Sequence, residues 1–205
     1  MARNFAEIAF SSEAKALQTK FGSRANYERI ERSTTYEGLT IHEEKFISQR
    51  DSFYMSTVGE NGFPYIQHRG GPKGFLKVLD KNRLGFVDFK GNMQYVSVGN
   101  LATNNKVALF LMDYAKKRRL KIYATVEVIE LNDHQDLYSL LDLEEYKFSP
   151  ERMLVFHIEA FDWNCPQHIT PRYTIEEFDK LLEPQREYIK NLEAEIKELK
   201  AKSAQ

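Results

Sequence analysis

The hydrophobic rhythm of the chain changes twice, and each change predicts a different kind of element. Residues 1–35 carry scattered apolar positions. Ser12 precedes Glu-Ala-Lys-Ala-Leu-Gln-Thr-Lys-Phe, a short helix that Gly22 would end, and a second short helix is expected over Tyr27–Arg32. Neither has a strong apolar stripe, so this segment is expected to pack over the main domain or a partner. Thr40 with Glu43 reads as a capping box opening a helix to about Gln49. From there the period becomes two. Ser52–Val58 and Phe63–His68 are extended runs around Asn61-Gly62, a dipeptide suited to the positive backbone angles of a tight hairpin. Phe75–Leu79 and Arg83–Val87 flank a second hairpin at Asp80-Lys-Asn. Asn92–Asn104 reads as a helix weakened by Gly99. Lys106–Met112 is apolar on both faces and predicts a fully buried strand. Along Arg118–Glu130, Leu120, Ile122, Ala124, Val126 and Val128 point one way and polar residues the other. A short helix over Asp133–Leu141 and a last strand over Met153–Phe161 follow. Six or seven strands joined mostly by short hairpins favour antiparallel pairing, and a mainly β, closed barrel with flanking helices rather than a doubly wound sheet.

The tail returns to a helical period. Thr174 with Glu177 is a second capping box, and Pro184 suits the first turn of a further helix. Ile189, Leu192, Ile196 and Leu199 follow at spacings of three, four and three, a coiled-coil-like seam. Two heptads are too few for a stable isolated coil, so this helix is expected to pair with its copy or dock on the barrel. A frayed, solvated helix is the competing reading. The domains expected are therefore an N-terminal helical segment, 1–35, a barrel domain, 36–173, and a helical tail, 174–205.

Composition narrows the partners. An apolar fraction of 42% supports a real core in this 205-residue chain, and 14 Phe and 11 Tyr favour cavities lined by rings. A formal net charge of −1 argues against general nucleic-acid binding. The single cysteine, Cys165, rules out an internal disulfide, and the five histidines fall at no metal-ligand spacing. No apolar leader region follows the start and no run approaches a membrane span, so a cytoplasmic protein is expected.

Candidate chemistry concentrates in residues 67–95. Gly70, Gly71 and Gly74 permit backbone angles that let successive N–H groups converge on an anion. Arg69 offers a fork of donors suited to phosphate, with Lys73 and Lys77 nearby. Asn92, Gln94 and Tyr95 add amide and hydroxyl donors from a second polar cluster. Two polar ends across a hairpin are what a phosphorylated, planar cofactor needs; two solvated loops are the alternative. Lys116-Lys-Arg-Arg119, continued by Lys121, is an anion site at a strand start or a solvated turn. Trp163 caps the barrel or lies near a ring-shaped ligand.

Taken together, these segments resemble the pyridoxamine 5'-phosphate oxidase-like, FMN-binding split-barrel family, closer to its uncharacterised flavin-binding branch. The resemblance covers roughly Ile47–Glu130 and more loosely the Trp163 segment. It is carried by Phe53-Tyr-Met-Ser-Thr-Val, by Pro64-Tyr-Ile-Gln-His-Arg-Gly-Gly-Pro-Lys-Gly-Phe-Leu-Lys-Val-Leu-Asp, and by Leu84-Gly-Phe-Val-Asp-Phe-Lys-Gly-Asn. It continues through Gly99-Asn-Leu-Ala-Thr-Asn-Asn-Lys-Val-Ala-Leu-Phe-Leu and Arg118-Arg-Leu-Lys-Ile. The family implies a homodimer of six-stranded antiparallel split barrels with FMN at the subunit interface. By that resemblance Arg69 and Lys77 lie on the hairpin that meets the flavin, beside Gln67 and His68. Phe89, Asn92, Gln94 and Tyr95 take the place of the family's phosphate and ribityl contacts. Arg118, Arg119 and Lys121 match an Arg-x-x-Arg-like strand start, and Trp163 stands near the second subunit's flavin.

The departures bear on activity. The family's Ser-Arg-Lys phosphate trio is replaced after Asn92 by Met93-Gln94-Tyr95, and Trp-Gly-Gly-x-Arg by Trp163-Asn-Cys-Pro-Gln; no Arg-x-His follows. The expectation is an FMN-dependent oxidoreductase with a small-molecule substrate other than pyridoxamine phosphate. The rivals are a flavin carrier or sensor without turnover, using its tail to bind a partner, and a relative that has exchanged FMN for haem or a deazaflavin. His68 is the nearest acid–base candidate, though it could as easily bond the ring's carbonyls.

Overall fold

The computed structural model of the chain describes residues 3–33, 37–163 and 165–203. The expected boundary between residues 35 and 36, and Asn164 in the Trp163 word, lie outside them. Contacts divide the chain into two compact units. The first runs to residue 113 and resumes over residues 118–166; the second holds residues 114–117 and those from 167 onward.

The first unit is built on one antiparallel sheet. Its strands are β1 (Ser52–Val58), β2 (Pro64–Gly70), β3 (Lys77–Asp80), β4 (Arg83–Phe89), β5 (Lys106–Asp113), β6 (Arg118–Ile129) and β7 (Pro150–Trp163), in the order β2-β1-β5-β6-β7-β4-β3. That is one strand more than the six the resemblance implies; the shortest, β3, pairs only with β4.

The sheet is rolled. Four steps separate β1 from β4 in this order, about 19 Å in a flat sheet at the usual strand spacing. The Phe53 and Phe86 rings nevertheless meet at 5.5 Å. Five steps separate β2 from β4, yet Arg69 is ion-paired with Asp88 across them. The barrel thus closes on a core of stacked and edge-on rings, with Phe86 and Phe156 at 5.9 Å, and is split along the seam that Arg69 and Asp88 bridge.

Burial refines the expected strand faces. β5 alternates, with Val107, Leu109 and Leu111 buried and Ala108, Phe110 and Met112 half-buried, because only one face of a rolled strand meets the core. β4 and β7 are the strands covered on both faces. There α6 (Gln135–Leu141) seals a second cluster of Val87, Ile129, Leu141, Met153 and Val155. Gly85 allows this approach, since a Cβ there would meet Leu141 and Leu79 side chains at 3.1 Å. Val128 keeps the inward phase of β6 but is 37% exposed and belongs to neither cluster, while Ile129 on the opposite face is buried under α6.

Helices flank the sheet. α1 (Phe5–Ala9) escaped the sequence pattern because it is one turn long; Phe5 stacks on Tyr123 at 4.7 Å. α2 (Ser12–Lys20) and α3 (Arg24–Ser33) follow it, and α4 (Ile41–Ile47) starts on the expected Thr40–Glu43 capping box. α5 spans Val96–Thr103, four residues shorter at its start than expected.

In the second unit α7 runs unbroken over Ile175–Ser203. Thr174 and Glu177 cap it reciprocally, at 2.9 and 3.2 Å. Pro184, expected to open a further helix, lies inside this one. Among the described residues no helix is long and apolar enough to cross a membrane.

Candidate functional site

The alternation of β2 puts Tyr65, Gln67 and Arg69 on one face of the strand, at the seam. Opposite them β4 ends in Asp88 and Phe89, and β7 begins with Glu151 and Arg152 beside them. Between β4 and α5 the chain turns through residues 90–95. Asn92 Oδ1 accepts from the Gln94 N–H at 3.2 Å, and Met93 and Tyr95 take left-handed angles, φ 59° and 54°. Non-glycine residues pay for that conformation, and here two of them fall within three positions. They also explain why α5 cannot begin at Asn92. Together these elements enclose a cavity of about 250 Å³.

Its electrostatics are balanced. Asp88, 3% exposed, accepts from Arg69 and, at 3.1 Å, from Arg152 Nη1; Arg152 also pairs with Glu151 at 3.1 Å. Two guanidiniums therefore face two carboxylates. Burial pushes the Asp88 carboxyl above its ordinary range and the two arginines only partly offset this; burial likewise pulls the Arg69 guanidinium down against the pull of Asp88. Such a triad fixes geometry more than it adds stability, because desolvation consumes most of the attraction. What the cavity offers a ligand is N–H groups. Arg69 Nε is buried with no partner. No side chain caps the start of α5, whose first intrahelical bond is Gly99 N–H to Tyr95 O at 2.8 Å, so the first-turn N–H groups point outward at the helix's positive end. Ser97 Oγ is engaged with Gln67 Oε1 at 2.6 Å, and the Tyr95 hydroxyl donates to Glu151 at 3.0 Å. The arrangement suits the phosphate end of a ligand, held by uncharged donors and one guanidinium edge.

Of the residues singled out from sequence, Gln67, Arg69, Phe89, Asn92, Gln94 and Tyr95 line this cavity. The other six do not. His68 faces the opposite side of β2, edge-on to Tyr54 at 5.5 Å. Lys77 Nζ donates to the Leu140 and Asp142 carbonyls at 2.9 and 2.8 Å, capping the end of α6. Arg119 lies over Phe110 and Lys121 pairs with Asp162 at 3.0 Å. Arg118 and Trp163 form a second cluster, the guanidinium 4.5 Å from the indole and touching His42. Eleven residues of β7, about 35 Å of extended chain, separate Trp163 from Arg152. In that cluster Trp163 Nε1 donates to Glu43 at 2.7 Å. Sequence reasoning missed Arg152, Glu151 and Ser97. The only signal for Glu151 and Arg152 was a charged pair near the start of an apolar strand, and nothing local ties it to a loop sixty residues earlier; Ser97 carried no signal of its own.

A rolled antiparallel sheet, split along one seam with a polar cavity in the split, defines a split-barrel protein. The chain belongs to the pyridoxamine 5'-phosphate oxidase family, whose model matches residues 39–162. Among solved structures it is similar to HupZ of Group A Streptococcus, with a TM-score of 0.50 at 13% identity over 66% of this chain and 99% of that one. An FMN-binding protein from Syntrophomonas wolfei aligns at 16% identity and a TM-score of 0.45, over 75% of this chain and 98% of that one. At 13% identity the likeness to HupZ speaks for the fold alone, and the Syntrophomonas likeness carries no argument. No curated protein matches the chain.

Proposed function

We propose that this protein binds FMN and acts as an FMN-dependent oxidoreductase on a small molecule. Family membership motivates the cofactor, and the observation that carries it to particular residues is the bare start of α5 opening on a cavity with an unpartnered Arg69 Nε. On this reading the amides of Asn92 and Gln94, the first-turn N–H groups of α5 and Arg69 Nε hold the phosphate. Gln67 and Tyr95 face the chain that leads to the ring. Because Asp88 and Glu151 already balance Arg69 and Arg152, the phosphate is held by dipoles rather than by a free cation. Bound flavin supplies the hydride-accepting chemistry, and the protein positions and shields it.

The cavity of one copy, about 250 Å³, falls below the roughly 300–1,000 Å³ of complete ligand sites. We therefore place the rest of the cofactor against a second copy. The outward residues of the β1–β2 hairpin support this, with Phe63 74% and Ile66 65% exposed.

The test is reconstitution. Purified protein incubated with FMN and freed of excess should stay yellow, and Gln94→Glu, which sets a carboxylate against the phosphate, should bind at least about tenfold more weakly, or about 1.4 kcal/mol. Bleaching by NADH or NADPH with reoxidation by an added acceptor would establish an oxidoreductase; a yellow protein that is never reduced would be a carrier. A preparation left colourless by excess FMN rejects the flavin, and a haem or deazaflavin spectrum reassigns the cofactor.

A further inference from the structure

We propose that α7 forms a parallel two-stranded coiled coil with a second copy of this chain. The unbroken helix extends the heptad well beyond the two repeats evident in the sequence. Ile175, Leu182, Ile189 and Ile196 fall seven apart, as one core position. Phe178, Gln185, Leu192 and Leu199 fall three residues after each, as the other. This seam is bare: Ile189 is 54%, Leu192 38%, Ile196 50% and Leu199 57% exposed, and no residue of α7 is buried. A helix with one apolar stripe draws its stability from whatever covers that stripe.

Three observations commit the occupant to a second copy in parallel register. β-Branched Ile189 and Ile196 at the first core position, with Leu192 and Leu199 at the second, is the arrangement that favours parallel dimers. Gln185 is the sole polar residue in the seam from Ile175 to Leu199. In parallel register it meets its own counterpart, and two amides satisfy each other; in an antiparallel pair overlapping the whole seam it would lie against Ile189, leaving a buried amide unpaired. On the flanks, Glu195 of one helix falls opposite Lys200 of the other, twice per dimer, and no like charges are brought together. Pro184 sits on the outer side of this register and keeps its ring clear of the second helix.

A disulfide scan of the full-length protein tests the proposal. With the exposed Cys165 changed to serine, Leu199→Cys should convert largely to a disulfide-linked dimer under mild oxidation. Ala201→Cys, two residues on and facing outward, should convert at least tenfold less. An antiparallel pair overlapping the whole seam would hold the two position-199 thiols about 36 Å apart along the axis and link Ile175→Cys to Leu199→Cys instead. Absence of the Leu199→Cys dimer, or equal linking at both positions, overturns the proposal. Flavin content enters neither readout, so failure here leaves the cofactor reading standing.

Discussion

Glu43 shows how one side chain serves two elements. Its carboxylate accepts from the Thr40 N–H at 2.9 Å, closing the cap of α4, and from Trp163 Nε1 at 2.7 Å, tying α4 to the end of β7. Burial by itself would push the group up, but the hydrogen bonds from Thr40 and Trp163 outweigh it and hold the carboxyl below its ordinary value of 4.5. A lowered folded-state value means that the unfolded chain takes up the proton first. The contribution is therefore complete above about 4.5 and is lost as the pH falls through the folded value. Glu43→Gln should cost about 1–3 kcal/mol at pH 7, and the gap to the parent should shrink on acidification. Urea titrations followed by emission of Trp163, the only tryptophan, would read it; a pH-independent gap would contradict the assignment. The Thr40–Glu43 half of this arrangement is legible three residues apart. The Trp163 half, 120 residues away, is not.

Elements with an unambiguous period were read from the sequence nearly to the residue. β1 matches its expected span, and β6 matches to within one, because alternation over seven or more residues leaves one choice of face. Boundaries failed where a local conformation intervened. α5 starts late because Met93 and Tyr95 turn left-handed, a conformation that residue preference does not favour. α7 continues through Pro184 because a single missing N–H and a ring clash are tolerated when the flanking turns are strong helix formers. Pro184→Ala should accordingly stabilise this helix, by up to about 3 kcal/mol. Stronger ellipticity at 222 nm and a higher melting temperature are expected. A variant that melts lower would show that the proline sits at a functional bend.

Closure of the sheet couples everything in the first unit. Phe86 meets Phe53, Phe75 and Phe156 at 5.5, 6.0 and 5.9 Å, contacts that span the rolled sheet. Phe86→Ala should destabilise the unit by about 3–5 kcal/mol, and emission of the distant Trp163 should report one transition coincident with loss of strand signal. Two separate transitions would mean that the seam side folds independently of the rest. Hairpin turns, helix caps and the faces of the alternating strands β1 and β6 were written in short-range pattern, since each depends on neighbours within a turn or a pleat; the loop at residues 92–95 and the one-sided burial of β5 were not. Which polar residues share a cavity was not. That Arg69 meets Arg152 through Asp88, while Lys77 caps α6 and Arg118 stacks on Trp163, follows from how far the sheet rolls before its edges meet. Twist accumulated over seven strands settles that, and no local run of residues encodes it.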